Sequence, residues 1–351
     1  MADWARGMKQ TWTWVEVDPG TWQDIRVIDT VVSASIKRDA GSDLRESASI
    51  VLDSEMLGEI YVRAYIDIEQ DGRSERVCVG TFLCQTPVLK SNGKTQELTV
   101  DAYSPLLELR DDRPPYGYTS TGKVSDRIAQ IVEGASHAPF VGYGSTSFPV
   151  PVVANEDDSW LSYSRALAAY SGCDVTCDEW GRVQMAPIIS RASLRQTWEF
   201  TDSNSSILLP DVEETFDWYG LPNVCEVVWS EDTRSVVGRA ENSSRMSAIS
   251  TVRRGRRVVM RVDNPDELKD GCTQVEADAL ARTLLEDASV VEREFVISHG
   301  FCPVKIGDCV RIAFARYGID MLAQVRSQEI DCATGATMRS VCVSTERMWS
   351  I

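Results

Sequence analysis

The stretch Ile60-Tyr61-Val62-Arg63-Ala64-Tyr65-Ile66-Asp67-Ile68-Glu69 alternates with a period of two. Ile60, Val62, Ala64, Ile66 and Ile68 fall on one side; Arg63, Asp67 and Glu69 fall on the other. Successive side chains of a strand point to opposite faces, so the pattern predicts a half-buried antiparallel strand. It has neighbours of the same kind. Residues 77–83 form the next strand candidate, Leu98, Val100 and Ala102 alternate with Thr99, Asp101 and Tyr103, and Ala48, Ile50 and Leu52 alternate with Ser49 and Val51. Asp71-Gly72 and the segment Ser91-Asn92-Gly93-Lys94 supply turn residues that accept positive φ. Up to about Leu109 the chain therefore reads as short strands joined by tight turns, the signature of a small barrel or sandwich.

The period changes near Arg113-Pro114-Pro115. Val124, Ile128, Ile131 and Val132 have helical spacing, with Gly134 expected as the C-terminal cap. A Gly-, Ser- and Pro-rich loop follows over 142–151. A second helix is predicted over 159–170, capped by Asp157 or Asp158, with Trp160, Leu161, Ser164, Leu167 and Ala168 on one face. A hairpin turning at Asp178-Glu179-Trp180-Gly181 completes a small α/β unit. The remainder is strand-rich again (224–229, 257–262, 294–297, 310–314, 323–326 and 339–343), with turns at Gly307-Asp308 and Thr334-Gly335. One helix interrupts it over 273–288, opened by the capping box Thr273-x-x-Glu276. With 351 residues the chain suits two or three domains. The boundaries read here are 1–112, 113–200 and 201–351. No repeat with a period of 20–50 residues supports a solenoid or propeller.

Composition narrows the chemistry. Asp and Glu number 53 against 36 Lys and Arg, a net charge of −17, and such a chain repels duplex DNA at long range. No apolar run approaches the roughly 18 residues of a membrane span, and the start lacks a secretory signal, so neither membrane insertion nor Sec export is expected. Ten cysteines without a CxxC pair read as reduced core thiols of a protein folded in cytosol. The two histidines, His137 and His299, have no second histidine at metal-site spacing. Cys173 and Cys177 share a strand face but would need two further ligands. There is no G-x-S-x-G elbow and no P-loop, and Gly142-Tyr143-Gly144 meets Ser147 where a third glycine should stand. The acidic pairs Asp111-Asp112, Asp157-Asp158 and Glu213-Glu214 read as capping or solvated residues. Hence no catalytic, metal or cofactor-binding residue is assigned, and no cofactor and no enzymatic activity are expected.

Two features are candidates for an interface instead. Arg253-Arg254-Gly255-Arg256-Arg257 lies between β-rich stretches at 248–252 and 258–262, which places Gly255 at a hairpin tip. Arg253, Arg254, Arg256 and Arg257 are then either a solvated tip or a basic finger for an acidic partner chain or passing nucleic acid. Trp4, Trp12, Trp14 and Trp22 crowd the N-terminus, with Trp12 and Trp14 on one strand face. They serve either core packing or a subunit contact.

Four stretches carry a family resemblance: Val79-Gly80-Thr81-Phe82-Leu83; Asp101-Ala102-Tyr103-Ser104-Pro105-Leu106-Leu107-Glu108-Leu109; the helix from Ser159-Trp160-Leu161 to Gly172 with Cys177-Asp178-Glu179-Trp180-Gly181-Arg182-Val183; and Pro303-Val304-Lys305-Ile306-Gly307-Asp308-Cys309-Val310-Arg311-Ile312 with Ile330-Asp331-Cys332-Ala333-Thr334-Gly335. In this order they resemble the phage tail hub proteins, the ring-forming baseplate proteins at the tip of a tail tube. The resemblance implies an α+β, mainly β fold: two small antiparallel β-barrel domains related by a pseudo-twofold, with an α/β domain inserted between them. It implies a homotrimeric ring, with the sixfold tail tube and distal tail proteins above and a threefold spike or fibre below. DNA would pass through that ring without specific binding. The location implied is the virion tail tip, after assembly in the bacterial host cytoplasm. The Trp-rich start and the arginine run lie outside the resemblance. The other readings are a tail-associated peptidoglycan or glycan hydrolase and a tryptophan-based surface-binding module.

Overall fold

The computed structural model describes residues 2–53, 58–91, 96–142, 144–188, 195–203, 206–231 and 234–349. The chain divides into two compact units: Met1–Val212 with Ile297–Cys342, and Glu213–Val296 with Val343–Ile351.

The first unit opens with seven strands: β1 (Lys9–Val17), β2 (Asp24–Val27), β3 (Val31–Asp39), β4 (Glu46–Leu52), β5 (Tyr61–Gln70), β6 (Arg73–Ser91) and β7 (Gln96–Tyr103). They pair antiparallel in the order β3-β4-β7-β6-β5-β1-β2. The Asp71-Gly72 turn holds both residues at positive φ, 50° and 76°, as a tight hairpin between twisted strands requires. The Asn92-Gly93 turn lies outside the described residues. Ile36, Ile50, Ile66, Ile68, Phe82 and Val100 are fully or almost fully buried, each such side chain contributing about 2 kcal/mol of transfer free energy. One expectation fails here. Strand β5 is not half-buried: its residues from Tyr61 to Ile66 are buried on both faces, Arg63 and Tyr65 included. The reason is a cover supplied from far along the sequence.

That cover belongs to the segment after α1 (Leu106–Asp111): β8 (Thr119–Ser120), α2 (Val124–Ala135), β9 (Phe140–Val141), β10 (Val152–Val153), α3 (Trp160–Ala169), β11 (Cys173–Cys177) and β12 (Val183–Pro187). Val124, Ile128, Ile131 and Val132 of α2 pack with Leu161, Leu167 and Ala168 of α3 and with Val175 and Val183 of the hairpin in one apolar cluster. Two caps differ from expectation. Helix α2 runs through Gly134 and ends at Ser136 in extended backbone, so no left-handed glycine is needed. Helix α3 is capped by Ser159 in a reciprocal box with Ser162, while Asp158 accepts from the Ser162 hydroxyl at 2.9 Å. Strand β12 pairs antiparallel with β11 and parallel with β9.

Strands β13 (Gln196–Thr201) and β14 (Leu208–Phe216) follow, and β14 carries the chain into the second unit. There β15 (Val224–Ser230) pairs antiparallel with β16 (Ser235–Glu241) and parallel with β17 (Val259–Asp263). A short helix, α4 (Thr251–Arg254), precedes β17. The long helix α5 (Gln274–Ala288) begins at the expected Thr273/Glu276 capping box and buries Ala277, Ala281 and Leu285 against Cys225, Val227, Val236 and Ala240. The approach is close: a Cβ on Gly238 would lie 2.1 Å from the Ala277 carbonyl oxygen, so only glycine fits.

Strand β18 (Val290–Gly300) returns to the first unit, where β19 (Cys309–Phe314) and β20 (Ile319–Asp331) follow, and β21 (Thr337–Arg347) runs from the first unit into the second. The first half of β20 pairs with β19 and the second half with β3, Ile330 opposite Ile36. Sheets of the first unit are thereby continuous from the N-terminal strands into the C-terminal ones. The pairing is not antiparallel throughout, because β13 lies parallel to β19, Phe200 opposite Ile312. The fold is α+β and mainly β, with large antiparallel sheets.

Candidate functional site

A dense polar arrangement in the first unit lies where the β11–β12 hairpin meets the N-terminal strands. Gly181 takes φ +73°, and a Cβ there would approach the Thr81 Cβ to 2.8 Å and the Trp22 ring to 2.9 Å. Both facts require glycine. The tip is gripped through its backbone. The Glu179 carbonyl accepts from the Thr81 hydroxyl (3.0 Å) and the Cys78 thiol (3.2 Å), and the Trp180 carbonyl accepts from Trp22 Nε1 (2.7 Å) and an Arg63 Nη (3.2 Å). Arg63 also donates to Thr81 Oγ1 (2.9 Å) and Asp24 (2.6 Å), and its guanidinium lies 5.3 Å from the centroid of the Trp180 ring. A planar guanidinium with every nitrogen engaged is a stable occupant of a covered sheet face. Tyr65 donates to the other Asp24 oxygen at 2.8 Å. Burial, together with that bond, pushes its hydroxyl up to about 12, so it stays a neutral donor.

Beside it runs a second ionic group. Arg38 of β3 is buried, pairs with Glu46 of β4 at 3.1 Å and donates to the Val79 carbonyl. Burial raises the Glu46 carboxyl and Arg38 opposes that rise. Lys305 forms an ion pair with Glu179. Burial alone would raise Glu179, but the Lys305 hydrogen bond and charge bring it below the usual carboxylate range. Residues distant in sequence (Arg38, Arg63, Glu179 and Lys305) are thus tied into one charged seam. Each carboxylate named pairs with a cation: Asp24 with Arg63, Glu46 with Arg38 and Glu179 with Lys305.

His299 offers the one Ser-His contact of catalytic length among the described hydrogen bonds. Its Nε2 lies 2.8 Å from Ser340 Oγ and its Nδ1 2.8 Å from the Gly300 carbonyl, under the Phe200 ring. Both His299 and Ser340 are fully buried, so no substrate reaches them. Burial holds the imidazole down to about 4, hence neutral. Burial likewise pushes the Cys84, Cys302 and Cys342 thiols up to about 12, which makes them poor nucleophiles. His137 pairs with Glu108 at 2.6 Å. Cys173 and Cys177 are free thiols, and no group of three or more His, Cys, Asp or Glu among the described residues is arranged to hold a metal ion.

The sequence-derived candidates fall in two places. Trp4 and Trp14 are buried within the chain, and Trp12 is partly buried. Trp4 and Trp12 pack on Phe301 with ring centroids 5.5 and 5.9 Å apart, and Trp14 packs on Phe82 at 6.5 Å. The exposed apolar side chains of that region belong instead to Ile25 and Val27 on β2, which ends the strand order and pairs only with β1 among the described residues. Arg253, Arg254, Arg256 and Arg257 lie in the second unit, and Gly255 is not a hairpin tip. It closes α4 as a left-handed C-cap (φ 63°), and Ser250 caps the other end by accepting from Arg253 N. Four residues are too few to show a helical period in sequence, and the arginine run masked the Ser250 cap. The seam was missed as well. Its one sequence signal is Arg63, a charge between Tyr61 and Tyr65 on the face read as solvated.

No family model matches the chain, and no curated protein matches it. Solved structures do. The tail protein from Neisseria meningitidis MC58 superposes with a TM-score of 0.58 at 10% identity, covering 97% of this chain and 98% of that one. The 43 kDa tail protein of prophage MuSo2 from Shewanella oneidensis gives 0.58 at 11% identity, over 95% and 97%. A chain of the Francisella PdpA-VgrG complex gives 0.54 at 7% identity over 97% of this chain but 53% of that one. The fold is that of phage and prophage tail proteins, in agreement with the resemblance read from the sequence.

Proposed function

We propose that this chain is a structural, non-enzymatic component of a phage or phage-like tail tip. It acts as a hub, three copies closing into a ring that adapts a sixfold tail tube above to a threefold spike or fibre below. In this reading residues 1–112 and 201–351 supply the two barrel-like domains, and 113–200 the inserted α/β domain. The ring belongs to the virion tail tip, is assembled in the bacterial cytoplasm and forms part of the DNA channel. Acidic side chains facing the bore let DNA pass without sticking, which suits a net charge of −17. The observation that carries the proposal is the end-to-end fold match to two tail proteins, over 95% or more of every chain compared. The seam supports it, since a ring under load needs its inserted hairpin locked to its sheets. A ring also needs edges and apolar patches rather than a pocket, and β2 with Ile25 and Val27 is such an edge.

Gold-labelled antibody against the chain, applied to intact tails, tests the location: label at one tail end is expected, and label along the tube or absent from tails contradicts the proposal. A zymogram on peptidoglycan tests the chemistry. Clearing by the purified protein that a single Asp or Glu substitution abolishes would establish the hydrolase reading in its place.

A further inference from the structure

Residues 242–262 hold six arginines and no carboxylate, within a chain of net charge −17. The segment is a built platform. Buried Asn223 donates to the carbonyls of Ile249 (3.1 Å) and Arg256 (3.0 Å) and accepts from Val258 N (2.7 Å), tying both sides of α4 together. Buried Asn242 donates to Ser247 Oγ at 2.9 Å. Arg254 is spent on the carbonyls of Leu221 and Trp218, and Arg257 and Arg261 on Glu226. Arg245, Arg253 and Arg256 remain exposed with no ion-pair partner among the described residues. Met246 (94% exposed) and Val252 (54%) stand between them.

We propose that this platform docks on acidic surface of a second copy of the chain. The inference rests on the ring reading above. A ring closes through heterologous contacts, in which two different patches of one chain fit each other. One chain supplies both signs: outside the platform it carries 53 carboxylates against 30 lysines and arginines, a net charge of −23, whereas the platform is locally +6. Exposed methionine and valine among the arginines favour a protein surface over phosphate, because Met and Arg are enriched at protein interfaces. A duplex would meet the field of the whole chain first, and that field is repulsive. A rigid platform loses little conformational freedom on docking, which favours binding.

The test is mass by light scattering, alone and with the adjoining tail proteins, for wild type and for R253E/R256E, with R253K/R256K as charge-preserving control. At low salt the wild type and the lysine variant are expected as trimers, and the glutamate variant is expected to need at least tenfold higher concentration to associate. Raising salt from 0.05 to 0.5 M is expected to weaken the wild type in the same direction, a readout independent of whether the variant folds. A trimeric R253E/R256E together with salt-insensitive association overturns the inference and leaves the ring standing. Loss of DNA retention by that variant with the trimer intact overturns it in favour of nucleic acid. A wild type that is monomeric in every condition overturns the ring reading, and this inference with it.

Discussion

Arg63 occupies a strand whose face was read as solvated, yet it is buried with all three guanidinium nitrogens bonded. Arg63→Ala leaves the Thr81 hydroxyl and the Trp180 carbonyl short of a partner and empties the space beneath the hairpin. The expected loss is about 3 kcal/mol, read from urea unfolding followed by tryptophan fluorescence. A change below about 0.5 kcal/mol would mean that the seam does not hold the hairpin. His299 sets a pH dependence. Its folded value of about 4 lies below the ordinary 6.5, so the unfolded chain binds the proton more readily. Its contribution is complete above pH 6.5 and is lost as pH falls through 6.5 toward 4, about 3 kcal/mol in all for a shift of this size. Unfolding free energies of wild type and His299→Gln, compared between pH 7.5 and 4, should converge over that window. Parallel curves would contradict the assignment.

At the scale of elements, Gly238 decides how α5 rests on its sheet. Gly238→Ala drives a methyl into the Ala277 carbonyl, so helix and sheet must part. The expected cost is about 2–3 kcal/mol, seen as faster hydrogen exchange in α5 and the β15–β17 sheet and not in β5 or β6. Equal protection in both proteins would refute this. The elements legible in sequence were those whose signals are local. The alternation of β5 and β7, the α2 and α3 stripes and the Thr273 box each complete themselves within some ten residues. What stayed hidden was long-range. The cover over Arg63 comes from Trp180, well over a hundred residues on, and the parallel partner of Gln196 is Cys309. Helix α4 hid for another reason: a charge run reads as solvated coil unless the buried Asn223 and Asn242 beneath it are known. Of the candidate site, the arginines were visible as a charge run, whereas the platform that presents them was not.

At the scale of the whole molecule, one chain carries a locked hairpin, an exposed strand edge at β2 and a basic platform in an otherwise acidic protein. Under the proposed hub reading, each serves a part that must be rigid and must recognise its own kind. The account stands or falls on self-association. Light scattering of the purified chain, alone and mixed with its neighbouring tail proteins, reads it directly. The account predicts a species of three times 39.0 kDa, formed by the chain itself or on the partner it adapts. A single-copy mass at every concentration, salt and partner combination would contradict it.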